Sequence, residues 1–156
     1  MRAGIRIASA TALSDDMLKR VLAAVDGSVI SRRVASFAHN LAHATGARLT
    51  VLHVVEPLPD AVVAPFGLSS SELNQALLVE GQELVETLCR DVGIAQADQL
   101  VHIGAAGQTI CAEAEECGAD LIVLGSQGRG AGARVMLGSV GSRVAALAKA
   151  AVTIIR

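Results

Sequence analysis

The chain has 156 residues, 52% of them apolar, and a formal net charge of −2. That length suits one compact domain with an ample core, and so little charge gives no basic field for a nucleic-acid backbone. There is no Trp or Tyr and only two Phe, Phe37 and Phe66, so base stacking has no material either and the core must be built from Val, Leu, Ile and Ala.

The N-terminal stretch carries Arg2 and Arg6 but no continuous apolar segment, and Asp15 and Asp16 close it. It is a poor secretion signal. Residues 1–18 are expected to form a flexible arm, with a single domain over 19–156. No apolar run reaches the roughly 20 residues of a membrane helix, so no membrane association is expected. Cys89, Cys111 and Cys117 are odd in number and contain no CxxC pair. They read as reduced structural thiols of a cytoplasmic protein.

Five short apolar runs punctuate the chain: Val21–Val25, Leu49–Val55, Leu100–Ile103, Leu121–Leu124 and Val152–Ile155. They are continuous rather than alternating, which predicts strands covered on both faces. Helical spacing fills the gaps. The first helix opens at Ser28, a good N-cap, and closes at Gly46. The second carries Leu73, Leu77, Leu84, Leu88 and Val92 and stops at Gly93. The third runs from Gln108 to Cys117, and the last from Ser139 to Lys149, where a cation suits a helix C-terminus. Regular alternation of strand and helix predicts an open α/β sheet with right-handed crossovers. Residues Glu56 to Glu72 hold all three prolines and a serine run, and read as one long surface loop.

Ligands of such sheets gather outside the carboxyl ends of the strands, and two of those turns are chemically loaded. Asp26, Gly27 and Ser28 follow the first strand. After the fourth comes GSQGRGAGARVMLGS, with glycines at 125, 128, 130, 132 and 138. Glycines admit close ligand approach, and successive amides form anion nests. Gly138 and Ser139 open a helix whose N–H groups and dipole favour negative charge. Glycine count alone does not separate a phosphate cradle from a surface loop followed by an ordinary capped helix. No lysine precedes Ser139, so a Walker-type site is absent, and the dinucleotide fingerprint is missing after the first strand.

At this point the residues resemble a known family. Gly125, Gly128, Gly138 and Ser139 match G-x2-G-x9-G-[ST], the motif of the nucleotide-binding branch of the universal stress proteins. VLAAVDGS, LTVLHVVEP, GADLIVLGSQGRG and VTIIR resemble family segments in the same order, so the similarity spans about residues 19–156. The resemblance implies a Rossmann-like fold of the adenine nucleotide alpha-hydrolase type: a five-stranded parallel sheet, order 3-2-1-4-5, with helices on both faces. It implies ATP or another adenine nucleotide as ligand, Mg or Mn bridging its phosphates, and a homodimer through the last strand. Asp26 would contact the nucleoside part and Val54 would lie beside the adenine, with Ser28 a further binding candidate. The amides near Gly128, Gly138, Ser139 and Val140 would hold phosphates, and Gly125 and Gln127 are counted with them among the binding residues. Gln127 stands where the family often has histidine, and Gly141 where it often has Ser or Thr.

Other candidates read more plainly. His39 and His43 are four apart on a helix, a metal-compatible spacing, but nothing beside them completes a site. His53 lies inside an apolar strand and reads as a satisfied core residue. The HIGA run at His102 has half of the HIGH signature, after the wrong strand. Arg129 and Arg134 read as solvated loop residues. No catalytic triad, acid–base pair or protein metal cluster stands out. The expectation is a stress-response regulator that binds ATP and hydrolyses it slowly at most. The alternatives are a nucleotide-free dimeric interaction module of the same fold, with an unknown protein partner, or an ATP-using transferase.

Overall fold

The computed structural model describes residues 18–67, 69–128 and 137–156. In chain order the elements are β1 (Arg20–Val25), α1 (Val29–Thr45), β2 (Arg48–Val55), a short α2 (Asp60–Val63) running into a 3-10 turn (Ala64–Phe66), α3 (Ser70–Val92), β3 (Asp98–Ile103), α4 (Ala106–Glu116), β4 (Leu121–Gly125), α5 (Ser139–Leu147) and β5 (Ala151–Ile155). The five strands form one sheet in the order β3-β2-β1-β4-β5, and every neighbouring pair is parallel. This is the expected order. The chain builds outward from β1 to β3, then crosses back to place β4 on the other side of β1. Strand order therefore reverses between β1 and β4, and a crevice opens there at the carboxyl ends.

The central strands alternate between two cores, as side chains on a strand must. Val21, Ala23 and Val25 of β1 face one way, with Val51 and Val123, beneath Val34, Ala35 and Ala38 of α1 and Val85 of α3. Leu22 and Ala24 face the other way, with Leu52, Ile122 and Leu124, beneath Ile110 of α4 and Val144 of α5. Leu22, Leu52 and Ile122 are fully buried. Both faces being covered is why the strands are unbroken apolar runs. The edge strands β3 and β5 are only half-buried.

Chain ends of the elements follow local chemistry. Gly46 and Gly93 close α1 and α3 in the left-handed conformation, at φ 73° and 80°. Asp120, just before β4, accepts from the N–H groups of Lys19 and Arg20 at 2.8 Å each and so pins the start of β1. Those two amides hold its carboxyl below the usual carboxylate range.

Two expectations change. The stretch 56–72 is not all loop: α2 and the 3-10 turn lie in it, and α3 already begins at Ser70. Ser69 caps the start of α3: its Oγ accepts from Glu72 N–H at 3.2 Å and donates to Glu72 Oε2 at 2.7 Å. The last helix stops at Leu147, so Lys149 does not serve its C-terminus. Ala148 turns to extended backbone, and Lys149 Nζ lies 2.7 Å from Glu115 Oε2 on α4. Of the expected N-terminal arm, residues 1–17 lie outside the described residues, whereas Leu18 packs against the core.

Candidate functional site

The β1–α1 turn sets one wall of the crevice. Gly27 takes φ 76°, which lets the chain reverse directly after the strand. Asp26 Oδ1 accepts from Ser28 N–H at 3.0 Å and from Ser31 Oγ at 2.9 Å. Ser31 Oγ in turn accepts from the N–H groups of Asp26 and Gly27, both at 3.1 Å. Ser28 occupies the expected N-cap position, yet its hydroxyl makes no capping bond and is buried without a hydrogen-bond partner. The Asp26–Ser31 pair ties down the turn instead.

The opposite wall comes from the end of β4 and the start of α5. Ser126 N–H donates to Ile155 O of β5 at 2.7 Å, and Ser126 O accepts from Gly138 N–H at 2.8 Å. Ser126 thus joins the end of β4 to both β5 and the start of α5. Gly138 caps α5, and Ser142 N–H returns to Gly138 O at 2.9 Å. The amides of Ser139, Val140 and Gly141 lie in the first turn, where a helix supplies no acceptor. Gly138 itself differs from expectation: its N–H is spent on Ser126. Among the described residues, the N–H groups of the three residues after it meet no backbone acceptor.

These walls enclose a cavity of about 360 Å³, within the range of small-molecule sites. Its floor is apolar, made by Leu52, Val54, Ile110 and Leu124, and its rim holds Asp26, Ser31, Gln127 and Ser139. Of the residues singled out from sequence, Asp26, Val54, Gly125, Gln127, Gly128, Gly138, Ser139 and Val140 all line it. Ser28 does not. Ser31, which the sequence reading passed over, takes a place on the wall. Its signal was position: a serine three residues beyond an N-cap stands where a capping box reaches back.

The glycines have steric reasons. A Cβ on Gly125 would come 2.6 Å from Ile30 Cγ2, and one on Gly128 would come 3.0 Å from Asp26 Oδ2. At Gly141 a Cβ would fall 2.7 Å from Leu137 Cδ1. Leu137 thus fills the space that a Ser or Thr side chain would need. Gly130, Gly132, Arg129 and Arg134 lie outside the described residues.

The remaining candidates sit elsewhere. His53 is buried, with Nδ1 2.8 Å from Val25 O. His102 Nδ1 stands 3.4 Å from the buried Glu113 carboxylate. The rings of His39 and His43 stack at 6.4 Å, and among the described residues no group of three or more His, Cys, Asp or Glu is placed to hold a metal. The three cysteines are free, and burial raises each thiol above its usual value. None of the described helices is long and apolar enough to cross a membrane.

Comparison with known proteins agrees with this geometry. The family model described as "Universal stress protein family" matches residues 17–156. A universal stress protein of Thermus aquaticus is 36% identical over 142 residues, covering 90% of this chain and all of that one. The structure of UspA from Lactobacillus plantarum superposes with a TM-score of 0.77 at 28% identity, covering 89% of this chain and 98% of that one. A universal stress protein solved in complex with cAMP superposes with a TM-score of 0.62 at 26% identity, covering 90% and 98% of the two chains.

Proposed function

The chain belongs to the universal stress protein family, and from that premise we propose that it is a nucleotide-responsive regulator whose ligand is an adenine nucleotide, ATP foremost. The carrying observation is the polarity of the crevice. Val54 and Leu52 supply an apolar lining suited to a base, and the first turn of α5 supplies N–H donors that have no acceptor within the helix. That a relative was solved with cAMP, itself an adenine nucleotide, supports the same ligand class.

In this reading Asp26 receives the sugar hydroxyls, and the amides of Ser139, Val140 and Gly141 receive phosphate oxygens, with Gln127 and Gly128 beside them on the same wall. A Cβ at Gly128 would come 3.0 Å from Asp26 Oδ2 and crowd the carboxylate. Mg or Mn would arrive on the phosphates and neutralise part of their charge. A few charge-assisted bonds, each about 1.5–3 kcal/mol, suffice for about micromolar affinity. No positioned general base is assigned, so hydrolysis is slow at most, and the output is a change of shape or partner surface. β5 is a half-exposed edge strand, and a homodimer paired through it belongs to the same proposal, as does a cytoplasmic location.

Two measurements test the ligand. Without Trp or Tyr the chain is nearly transparent where adenine absorbs, so nucleotide carried through purification shows directly. Calorimetric titration of the stripped protein with ATP and Mg should give saturable one-to-one binding. Absence of both signals overturns the proposal.

A further inference from the structure

Charge is unevenly distributed along the chain. Residues 49–89 hold Glu56, Asp60, Glu72, Glu80, Glu83 and Glu86 but no Lys or Arg, so the remainder of a chain of net charge −2 is net positive. His53, the histidine of that stretch, is buried, and none of those acids forms an ion pair among the described residues. The same stretch carries Phe66, Val79 and Val62, at 78%, 58% and 52% exposure; of the described large apolar side chains only Val29 is more exposed. They sit where the core ends. The buried residues of α3 begin at Gly81, and its first half, Ser70 to Glu80, holds no buried side chain. Leu58 N–H donates to Asn74 Oδ1 at 3.1 Å, which ties the segment holding α2 and the 3-10 turn to that half. Along α3, Glu72, Ala76, Val79, Glu83 and Glu86 follow at alternating steps of four and three. They form one exposed stripe with acids at both ends and an apolar centre.

From this we propose that the 3-10 turn and the outer face of α3 form a docking surface for a basic amphipathic helix of a partner protein. Such a helix lays its apolar face on an apolar surface while its lysines and arginines meet an acidic rim. Phe66 is the aromatic anchor, a residue type that carries much of the energy of such contacts. Ala76 and Val79 receive the partner's apolar stripe, and Glu72, Glu83 and Glu86 receive its cations. The same acids repel phosphate, which disfavours a nucleic acid or an anionic membrane as the occupant. None of these residues lines the cavity, so the inference stands apart from the nucleotide reading.

The probe is a synthetic leucine–lysine peptide of about five helical turns, patterned at the helical period and carrying one tryptophan. The full chain has no Trp, so the emission read during titration belongs to the peptide. The wild type should bind it saturably, at least about tenfold tighter than a scrambled peptide of the same composition, and less tightly as salt rises. A leucine–glutamate peptide of the same pattern should not bind. Phe66→Ser and Val79→Ser remove exposed side chains and should each weaken binding at least about fivefold, as should Glu83→Lys. Glu116→Lys makes the same charge change on the exposed side of α4 and should stay within about twofold of wild type. Thermal unfolding checks that each variant is folded. No binding by the wild type, equal binding of the scrambled or acidic peptide, wild-type affinity in the three surface variants, or equal weakening by Glu116→Lys overturns the inference. So does a fall in the chain's own sedimenting mass on Phe66→Ser, which would assign the face to a second copy.

Discussion

Gly138→Val tests the phosphate end of the site with little disturbance of the fold. Gly138 has φ −63° and ψ 165°, extended backbone that any residue adopts. A Cβ there would lie 3.4 Å from Ser126 O and 3.7 Å from Gln127 Cα, ordinary contact distances. The N–H that donates to Ser126 O is retained by alanine and valine alike. Alanine should therefore fold and bind nearly as the wild type does. Valine adds two methyl groups at the mouth of a cavity of only about 360 Å³, beside the amides of Ser139 to Gly141. Losing one charge-assisted bond of about 1.5–3 kcal/mol weakens binding about tenfold to a hundredfold. Calorimetric titration with ATP and Mg measures it, with thermal unfolding as the control for folding. A valine variant that folds and binds ATP at wild-type affinity would refute the assigned pose.

Other consequences follow from packing and charge. Ile122→Ala, in the middle of β4 and fully buried, should cost about 2–5 kcal/mol in chemical denaturation, the usual range for such a deletion. Gly81→Ala should also destabilise, although alanine is the better helix former by about 1 kcal/mol. Its Cβ would meet Val101 Cγ1 at 2.8 Å and His53 Cδ2 at 3.0 Å, forcing α3 away from the sheet, and overpacking of this kind costs about 1–3 kcal/mol. The buried thiols give a pH prediction. Burial raises Cys89, Cys111 and Cys117 above the ordinary value of 9.0, so the folded state holds thiol protons that the unfolded state releases. Stability should be unaffected by the thiols below that value and fall as pH rises through it. Denaturation curves of the wild type and Cys89→Ala taken on either side of pH 9 check the sign: the wild type should lose more on the alkaline side.

The sheet was legible because strands buried on both faces leave continuous apolar runs, and Val21–Val25 or Leu121–Leu124 needed no other cue. Gly46 and Gly93 marked helix ends because both take a left-handed conformation that other residues resist. The start of α3 was obscured by composition. Prolines and serines suggested loop, yet Ser69 and Glu72 already form the capping pair. The cavity lining was legible at Gly125 and Gly128, where a Cβ would crowd Ile30 and Asp26. It was illegible where two neighbouring serines exchange roles. Ser28 has the better sequence position, but only the side chain at Ser31 reaches back over the turn to Asp26. Nor does spacing reveal that Gly138 N–H is spent on Ser126 O, since that bond depends on how the chain returns from Leu137. Leu137 packing against Gly141 escaped notice for the same reason.

The central claim is that an adenine nucleotide lies across the carboxyl ends of β1 and β4, with its phosphates on the first turn of α5. Backbone amide NMR, recorded while ATP and Mg are added to uniformly labelled protein, tests it most directly. Saturable shifts should concentrate at Asp26, Val54, Gly128, Ser139, Val140 and Gly141. Little should change at the opposite end of the sheet, around Lys19, Asp98 and Asp120. Shifts that cluster at that far end, or a spectrum unmoved by ATP, would contradict it.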